Sequence, residues 1–309
     1  NTRLIDEIWN AIASMDTLLQ RLMQMEDPRS SQAGLAWQPR SSDVFIATYP
    51  KCGTTWVSFI AHCIRSGGYV DFEEIFQVVP WTKFALDCGI DLNAEQLGQP
   101  RLFKSHESYD LIQKNAKYIY VARDPKDACV SFYHFAVDWV HMTTDEVPIQ
   151  DFLDRLFAGS GSNSGRIWEH YLSYYNVRNS GSVLWIFYED LIEDLPKCVD
   201  AIAAFMGVPL DEKLKAKVVH YASFEYMKEN SSKFDEHVVF DACKVRMGLD
   251  PDSQVIANKV NKGRKGANKT ELNEGMRERL DQMWIEVFGA ETGVMSYDEL
   301  RSRVSILSK

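Results

Sequence analysis

Four groups of residues in this chain have the types and spacing to handle an anion. The first is Tyr49-Pro50-Lys51-Cys52-Gly53-Thr54-Thr55, which sets one positive charge beside a glycine and two hydroxyls. It lies between Val44–Thr48, an apolar run of strand length, and a pattern placing Trp56, Ile60 and Ile64 on one helix face. Pro50 fixes one backbone angle and Gly53 permits a left-handed one, so a tight turn delivers the chain into a helix N-terminus. Unsatisfied N–H groups at such a terminus suit a phosphate, and Lys51 adds a full charge. The order is not that of a Walker A loop, where Lys follows a Gly and precedes Ser/Thr; here Lys51 comes before the only Gly. The plain alternative is a strand-turn-helix with a surface lysine.

The second group is Arg123 with Ser131, in V-A-R-D-P-K-D-A-C-V-S-F-Y-H-F. Arg123 falls where a strand passes into a helix, and Ser131 follows about two turns along it. A bidentate guanidinium and a hydroxyl could grip a phosphate together; equally, Arg123 could pair with Asp124 or Asp127. The third is the run from Asn258 to Lys269, with five basic residues and two glycines in an otherwise acidic chain. It reads as a phosphate grip, as solvated surface or as a nuclear-localisation patch. The fourth is Lys104 and His106, which an extended backbone points to one side. Imidazole titrates near working pH and can take a proton from a nucleophile, although a lone histidine at a strand end is more often packing.

The elements that position these groups alternate. Strands are expected at 44–48, 101–106, 117–122 and 183–187, with helices between and after them, including 109–115, 151–157, 168–177, 198–205 and 211–220. Such alternation indicates an α/β fold: a parallel β-sheet of four to five strands flanked by helices. Residues before Pro28 read as a helix and Arg29–Arg40 as a connector, so 1–40 lead into a single domain spanning 1–309. Residues 231–268 show little periodicity and read as a mobile segment carrying the basic run. An amphipathic helix over 272–287 and a polar tail end the chain. The aromatic residues Phe72, Phe76, Trp81 and Phe84 are core by default, but as a group on a loop they could line an apolar pocket.

With 309 residues, 45% of them hydrophobic, the chain can bury a sizeable core. A net charge of −10 argues against general binding of nucleic acid or an anionic membrane. None of the six cysteines forms a C-x-x-C pair, which fits reduced thiols in a cytoplasmic protein, not a zinc site or disulfide framework. No apolar run approaches the roughly 20 residues of a membrane span, and the first residues lack a signal-peptide pattern.

Taken together, T-Y-P-K-C-G-T-T-W resembles the phosphosulfate-binding loop of cytosolic sulfotransferases. These enzymes transfer a sulfuryl group from 3′-phosphoadenosine-5′-phosphosulfate (PAPS), leaving the bisphosphate PAP. The resemblance runs from Val44 to Lys269 with its motifs in the family's order. It implies that K-S-H supplies His106 as general base, with Lys51, Lys104 and Ser131 completing the catalytic set. It implies donor contacts from Lys51, Cys52, Gly53, Thr54 and Thr55 at the 5′-phosphate, and from Arg123, Ser131, Arg264, Lys265 and Gly266 at the 3′-phosphate. Trp56, Tyr188, Ser223 and Phe224 are implied at the adenine. Trp81, Phe84, His106, Phe135 and Trp139 are implied around a small, apolar acceptor bearing a hydroxyl or amine. No metal is implied. Departures are Asp124 where Asn is common, Ala222 where Thr is usual, and the absent G-D-W-K and F-T elements. The family's homodimer pattern is not recognisable either, so a homodimer stays open. The other readings are a PAPS-dependent dehydratase of an alcohol and an ATP-using P-loop-type kinase.

Overall fold

Four apolar runs become four parallel strands: β1 (Val44–Thr48), β2 (Leu102–Ser105), β3 (Lys117–Ala122) and β4 (Val183–Phe187). The computed structural model describes residues 2–256, 266 and 268–308, with 2–11 described as backbone only. The order is β2-β1-β3-β4; Val44 faces Leu102 on one side and Lys117 on the other, and Tyr118 faces Val183. The helices used below are α1 (Thr2–Gln24), α2 (Pro28–Ala36), α3 (Thr54–Arg65), α4 (Ile75–Val78) and α5 (Pro125–Trp139). The result is one α/β domain.

Alternate residues of each strand point to opposite faces, so the sheet divides two cores. One face is aromatic, with Phe45, Phe103, Tyr118, Tyr120 and Trp185 packed under α5 and the helix Ile167–Tyr175. The other is aliphatic, with Val44, Ile46, Leu102, Ile119 and Val121 under α3 and the helix Leu195–Met206. Both faces are covered, which is why the strands read as near-continuous apolar runs. From β1 the chain goes to β2 on one side and then to β3 on the other, so strand order reverses at β1. Loops leaving the carboxyl ends diverge at such a point and open a crevice.

Several elements differ from the sequence expectation. Part of the connector is α2, whose N-cap Asp27 accepts from the N–H of Arg29 and Ser30, with Pro28 in the first turn. The Asp-Pro start signal was obscured by the Ser and Gly further along. Through α2, Gly34 comes so close to the next segment that a Cβ there would lie 2.3 Å from Thr82 O. Ser30 Oγ donates to Lys83 O at 2.7 Å, so α2 props the aromatic stretch from Trp81 to Phe84. Residues 109–115 form turns, not a helix, with Asn115 at φ 66°. The aperiodic stretch contains the turn Ser231–Phe234 and the helix His237–Cys243, which bury Phe234, Val239 and Phe240. The polar tail contains the helix Tyr297–Val304. Its Tyr297 hydroxyl donates to Glu189 Oε2 at 2.5 Å, and Ser305 Oγ donates to Asp190 Oδ2 at 2.7 Å. These bonds hold the first turn of the helix Tyr188–Glu193. Among the described residues, no helix is long and apolar enough to cross a membrane.

Candidate active site

The carboxyl end of each strand hands over one residue of a shared cavity: Lys51 after β1, His106 after β2, Arg123 after β3 and Tyr188 after β4. The cavity measures about 450 Å³. At its β1 end, Lys51 sits at φ 67° and Gly53 at φ 104°, so the turn carries the left-handed backbone that the sequence called for. A Cβ on Gly53 would lie 2.9 Å from Tyr188 Cδ2. Gly53 is also the N-cap of α3, with no side-chain cap hydrogen bond, and Thr54 and Thr55 line the cavity beside it. A twelve-residue helix thus presents its positive end there.

Arg123 is 8% exposed. Its Nη1 donates to Lys51 O at 2.9 Å, its guanidinium lies 4.4 Å from the Tyr188 ring centroid, and its Nε has no partner among the described residues. No carboxylate forms a salt bridge with it among the described residues. Asp124 turns away to cap α5, accepting from Lys126 N–H at 2.8 Å, and burial pushes its carboxyl up to about 6. Asp127 is committed elsewhere: Oδ2 accepts from Gly266 N–H at 2.9 Å and Oδ1 from Asn268 Nδ2 at 2.6 Å. Glu189 feels the charge of Arg123 without forming an ion pair with it. Burying a cation with no direct ion-pair partner is costly, so an anion would complete the site. Ser131 lines the same space. Trp56, Tyr188 and Phe224 form an aromatic slot beside it, with Trp56 and Tyr188 edge-on at 5.6 Å. Trp56 Nε1 donates to Ala222 O at 2.8 Å, which fixes the indole.

His106 is held by its δ nitrogen, which donates to Thr48 O at 2.8 Å. A carbonyl can only accept, so the proton sits on Nδ1 and Nε2 is the basic atom. Thr48 Oγ1 lies 3.2 Å from the same nitrogen and 2.6 Å from Thr54 Oγ1, so the histidine and the anion loop share one hydroxyl chain. Behind it, buried His170 donates from Nε2 to His106 O at 3.1 Å and accepts from Tyr120 at 2.8 Å. Burial lowers His170 to about 4, keeping it neutral. Trp81 meets His106 edge-on at 4.9 Å and carries Lys104 Nζ 4.0 Å from its centroid.

The rest of the cavity is largely apolar: Leu19, Leu22 and Met25 from the region of α1, with Trp81, Phe132, Phe135 and Leu156. Lys51 Nζ lies 4.2 Å from the Phe135 centroid, where the two ends of the cavity meet. Not every expected residue reaches this space. Phe84 and Trp139 are fully buried behind it, packed on Trp81 and Phe135 respectively. Cys52 is buried too; its N–H closes a turn onto Tyr49 O at 3.3 Å. Ser223 caps the helix Phe224–Glu229 through Tyr226 N–H. The Gly266 N–H, expected at a phosphate, is bonded to Asp127 instead; Arg264 and Lys265 lie outside the described residues. Sequence reasoning missed the α1 side chains, the 160–164 turn and Glu236, which all line the cavity. The Gly/Ser-rich composition of 159–165 was a signal for a close-packed turn; Glu236 offered none. Among the described residues, no cluster of His, Cys, Asp and Glu could hold a metal ion.

The family model described as Sulfotransferase domain matches residues 41–290. Human sulfotransferase 1C2 is 28% identical over 260 residues, covering 81% of this chain and 84% of its own. Sulfotransferase 1B1 of Canis lupus familiaris is 34% identical over 202 residues, 62% of this chain and 68% of its own. Among solved structures, a mouse sulfotransferase complexed with PAP superposes with a TM-score of 0.64 at 22% identity, covering 88% of this chain and 93% of that one, a likeness of fold. This chain belongs to the sulfotransferase family, of the cytosolic type, and its activity is sulfuryl transfer.

Proposed function

We propose that this enzyme takes its sulfuryl group from PAPS and passes it to a hydroxyl or amine on a small, largely apolar acceptor. The observation that carries this reading is Arg123, a buried guanidinium in no salt bridge among the described residues, beside the uncapped start of α3 and in one cavity with His106. Two phosphates on one nucleotide match two anion positions. Lys51, Gly53, Thr54 and Thr55 would hold the 5′ side; Arg123 and Ser131 would hold the 3′ side, with Arg264 and Lys265 proposed from the sequence for the same group. Trp56, Tyr188 and Phe224 would sandwich the purine.

The chemistry then falls to groups already in place. His106 Nε2 accepts the acceptor's proton as its oxygen or nitrogen attacks sulfur. Lys51 meets the charge that develops on the bridging oxygen of the leaving phosphate, and Lys104 faces the sulfuryl oxygens. Leu19, Leu22, Met25 and Phe135 take up the acceptor's apolar body. Six unpaired cysteines support a reducing, cytoplasmic setting.

The test is His106→Ala, measured for turnover and for PAP binding. Turnover should fall by about 10²–10⁴-fold. PAP at about a hundred times its dissociation constant should still add roughly 2.7 kcal/mol of stability to variant and parent alike, and ATP with magnesium should not. Retained turnover would remove His106 as the base. A shift with ATP in place of PAP would remove the donor.

A further inference from the structure

We infer that Glu236 competes with the donor's sulfuryl group for the Lys104 ammonium, and so sets how strongly the site prefers PAPS over PAP. This rests on the reading of Lys104 as the group facing the sulfuryl oxygens.

Glu236 is an unusual side chain to find in this cavity. It is a carboxylate 3% exposed, on a residue held at φ 61° where the helix His237–Cys243 begins. Phe234 on one side and Val239 and Phe240 on the other are fully buried, which anchors the turn that presents it. Its Oε1 forms an ion pair with Lys104 Nζ. Lys104 is 6% exposed, lies against the face of Trp81, and lines the cavity together with Glu236 and His106.

Charge separates the two nucleotides. The buried pair is neutral as a unit, and a positive ammonium is paired off before any ligand arrives. PAP brings phosphates to the loop and to Arg123 but nothing to Lys104, so the pair survives its binding. PAPS brings one further negative group to that ammonium. With one face of Lys104 covered by indole, the sulfuryl oxygens must share the cation with Glu236 or displace it, and the two anions repel at a buried position where solvent screens them little. The penalty falls on PAPS and not on PAP. After transfer, Glu236 takes Lys104 back, so the product complex is not left with an uncompensated buried cation. No bond forms or breaks in this exchange; one ammonium changes partners.

The experiment is calorimetric titration of PAPS and of PAP, without acceptor, into the parent enzyme and three variants. Glu236→Gln keeps the shape and removes the charge. Glu236→Asn also removes it and suits a left-handed backbone, so one variant remains should the other misfold. Both should bind PAPS about tenfold more tightly and PAP as before. Lys104→Met should weaken PAPS and leave PAP unchanged. If Lys104→Met weakens neither or both equally, the assignment of Lys104 to the sulfuryl group falls. If it behaves as expected while the Glu236 variants leave the PAPS-to-PAP ratio unchanged or lower the preference for PAPS, the competition alone is overturned.

Discussion

The two ends of the cavity, proposed above for the donor and for the acceptor, are built by different means. At the donor end, Lys51, Gly53, Thr54, Arg123 and Tyr188 each lie within a few residues of a strand's carboxyl end. The sheet register places them, and each motif carries its own scaffold in the adjoining strand and helix. At the acceptor end the lining comes from α1, the Trp81 loop, the middle of α5, the 160–164 turn and Glu236. No single register relates these pieces; they meet because each packs on another. A donor site of the first kind is a property of the fold. An acceptor site of the second kind can change without disturbing a strand.

That contrast is sharpest at Arg123. Arg123→Met should cost about 2–5 kcal/mol of PAP affinity, read by calorimetry. Stability without ligand should change far less in urea melts, because no carboxylate among the described residues is ion-paired with this guanidinium, although Glu189 feels its charge. A loss of stability as large as the loss of affinity would make Arg123 a structural residue and break the comparison.

His170 tests the seam between the two ends, since it ties β3 to the backbone carbonyl of His106. Its pKa is lowered from 6.5 to about 4, chiefly by burial. Between those values the unfolded chain binds a proton that the folded one refuses. The contribution is therefore complete above pH 6.5 and lost as pH falls toward 4, amounting to about 3 kcal/mol. Burial lowers His62 in the same direction, while Asp124, raised to about 6, opposes them as pH falls from 6 to 3.8. His170→Asn should flatten the decline in stability between pH 6.5 and 4 in a series of urea melts. An unchanged slope would remove His170 from the acid sensitivity.

A smaller effect is expected at Gly53. Gly53→Ala must hold alanine at φ 104° with its Cβ 2.9 Å from Tyr188. Strain of this kind costs about 1–3 kcal/mol. It should appear in both the melting temperature and PAP affinity, since the turn packs against Tyr188 of the aromatic slot proposed for the adenine. A loss confined to stability would separate the turn from the site.

How far the sequence discloses each end comes from the same contrast. Val44–Arg65 is one continuous stretch, so strand, turn and helix could be read with their chemistry attached. The four strands and the helices of 198–205 and 211–220 were legible because buried runs and amphipathic periods are local signals. The helix α2 was missed because its Asp-Pro start competes with Ser and Gly further in. The 297–304 helix was missed because only Tyr297 and Leu300 of its residues are buried, too few to show a period. Trp139 was read as an acceptor contact because the family resemblance implied it there together with Phe135. Yet Phe135 lines the cavity, while Trp139 is covered by Phe240, a residue about a hundred positions further along. Glu236 was invisible for the same reason, as its partner Lys104 lies 132 residues away.

The smallest effect expected is also the one that bears most directly on the comparison. Leu22 lines the cavity from α1, which lies outside the stretch 41–290 that matches the family. Among the described residues, nothing at the donor end touches it through a hydrogen bond or a shared strand. Leu22→Ala removes apolar wall without removing charge, so it should raise the KM for an apolar acceptor by about tenfold and leave the PAP dissociation constant unchanged. Met23→Ala, at a neighbouring position 69% exposed, should do less. If Leu22→Ala instead weakened PAP, α1 would be supporting the donor loop and the two ends would be one structure. If it changes the acceptor alone, selectivity is written in a helix that the family's shared region does not include, and related chains can keep one donor site while differing in what they sulfate.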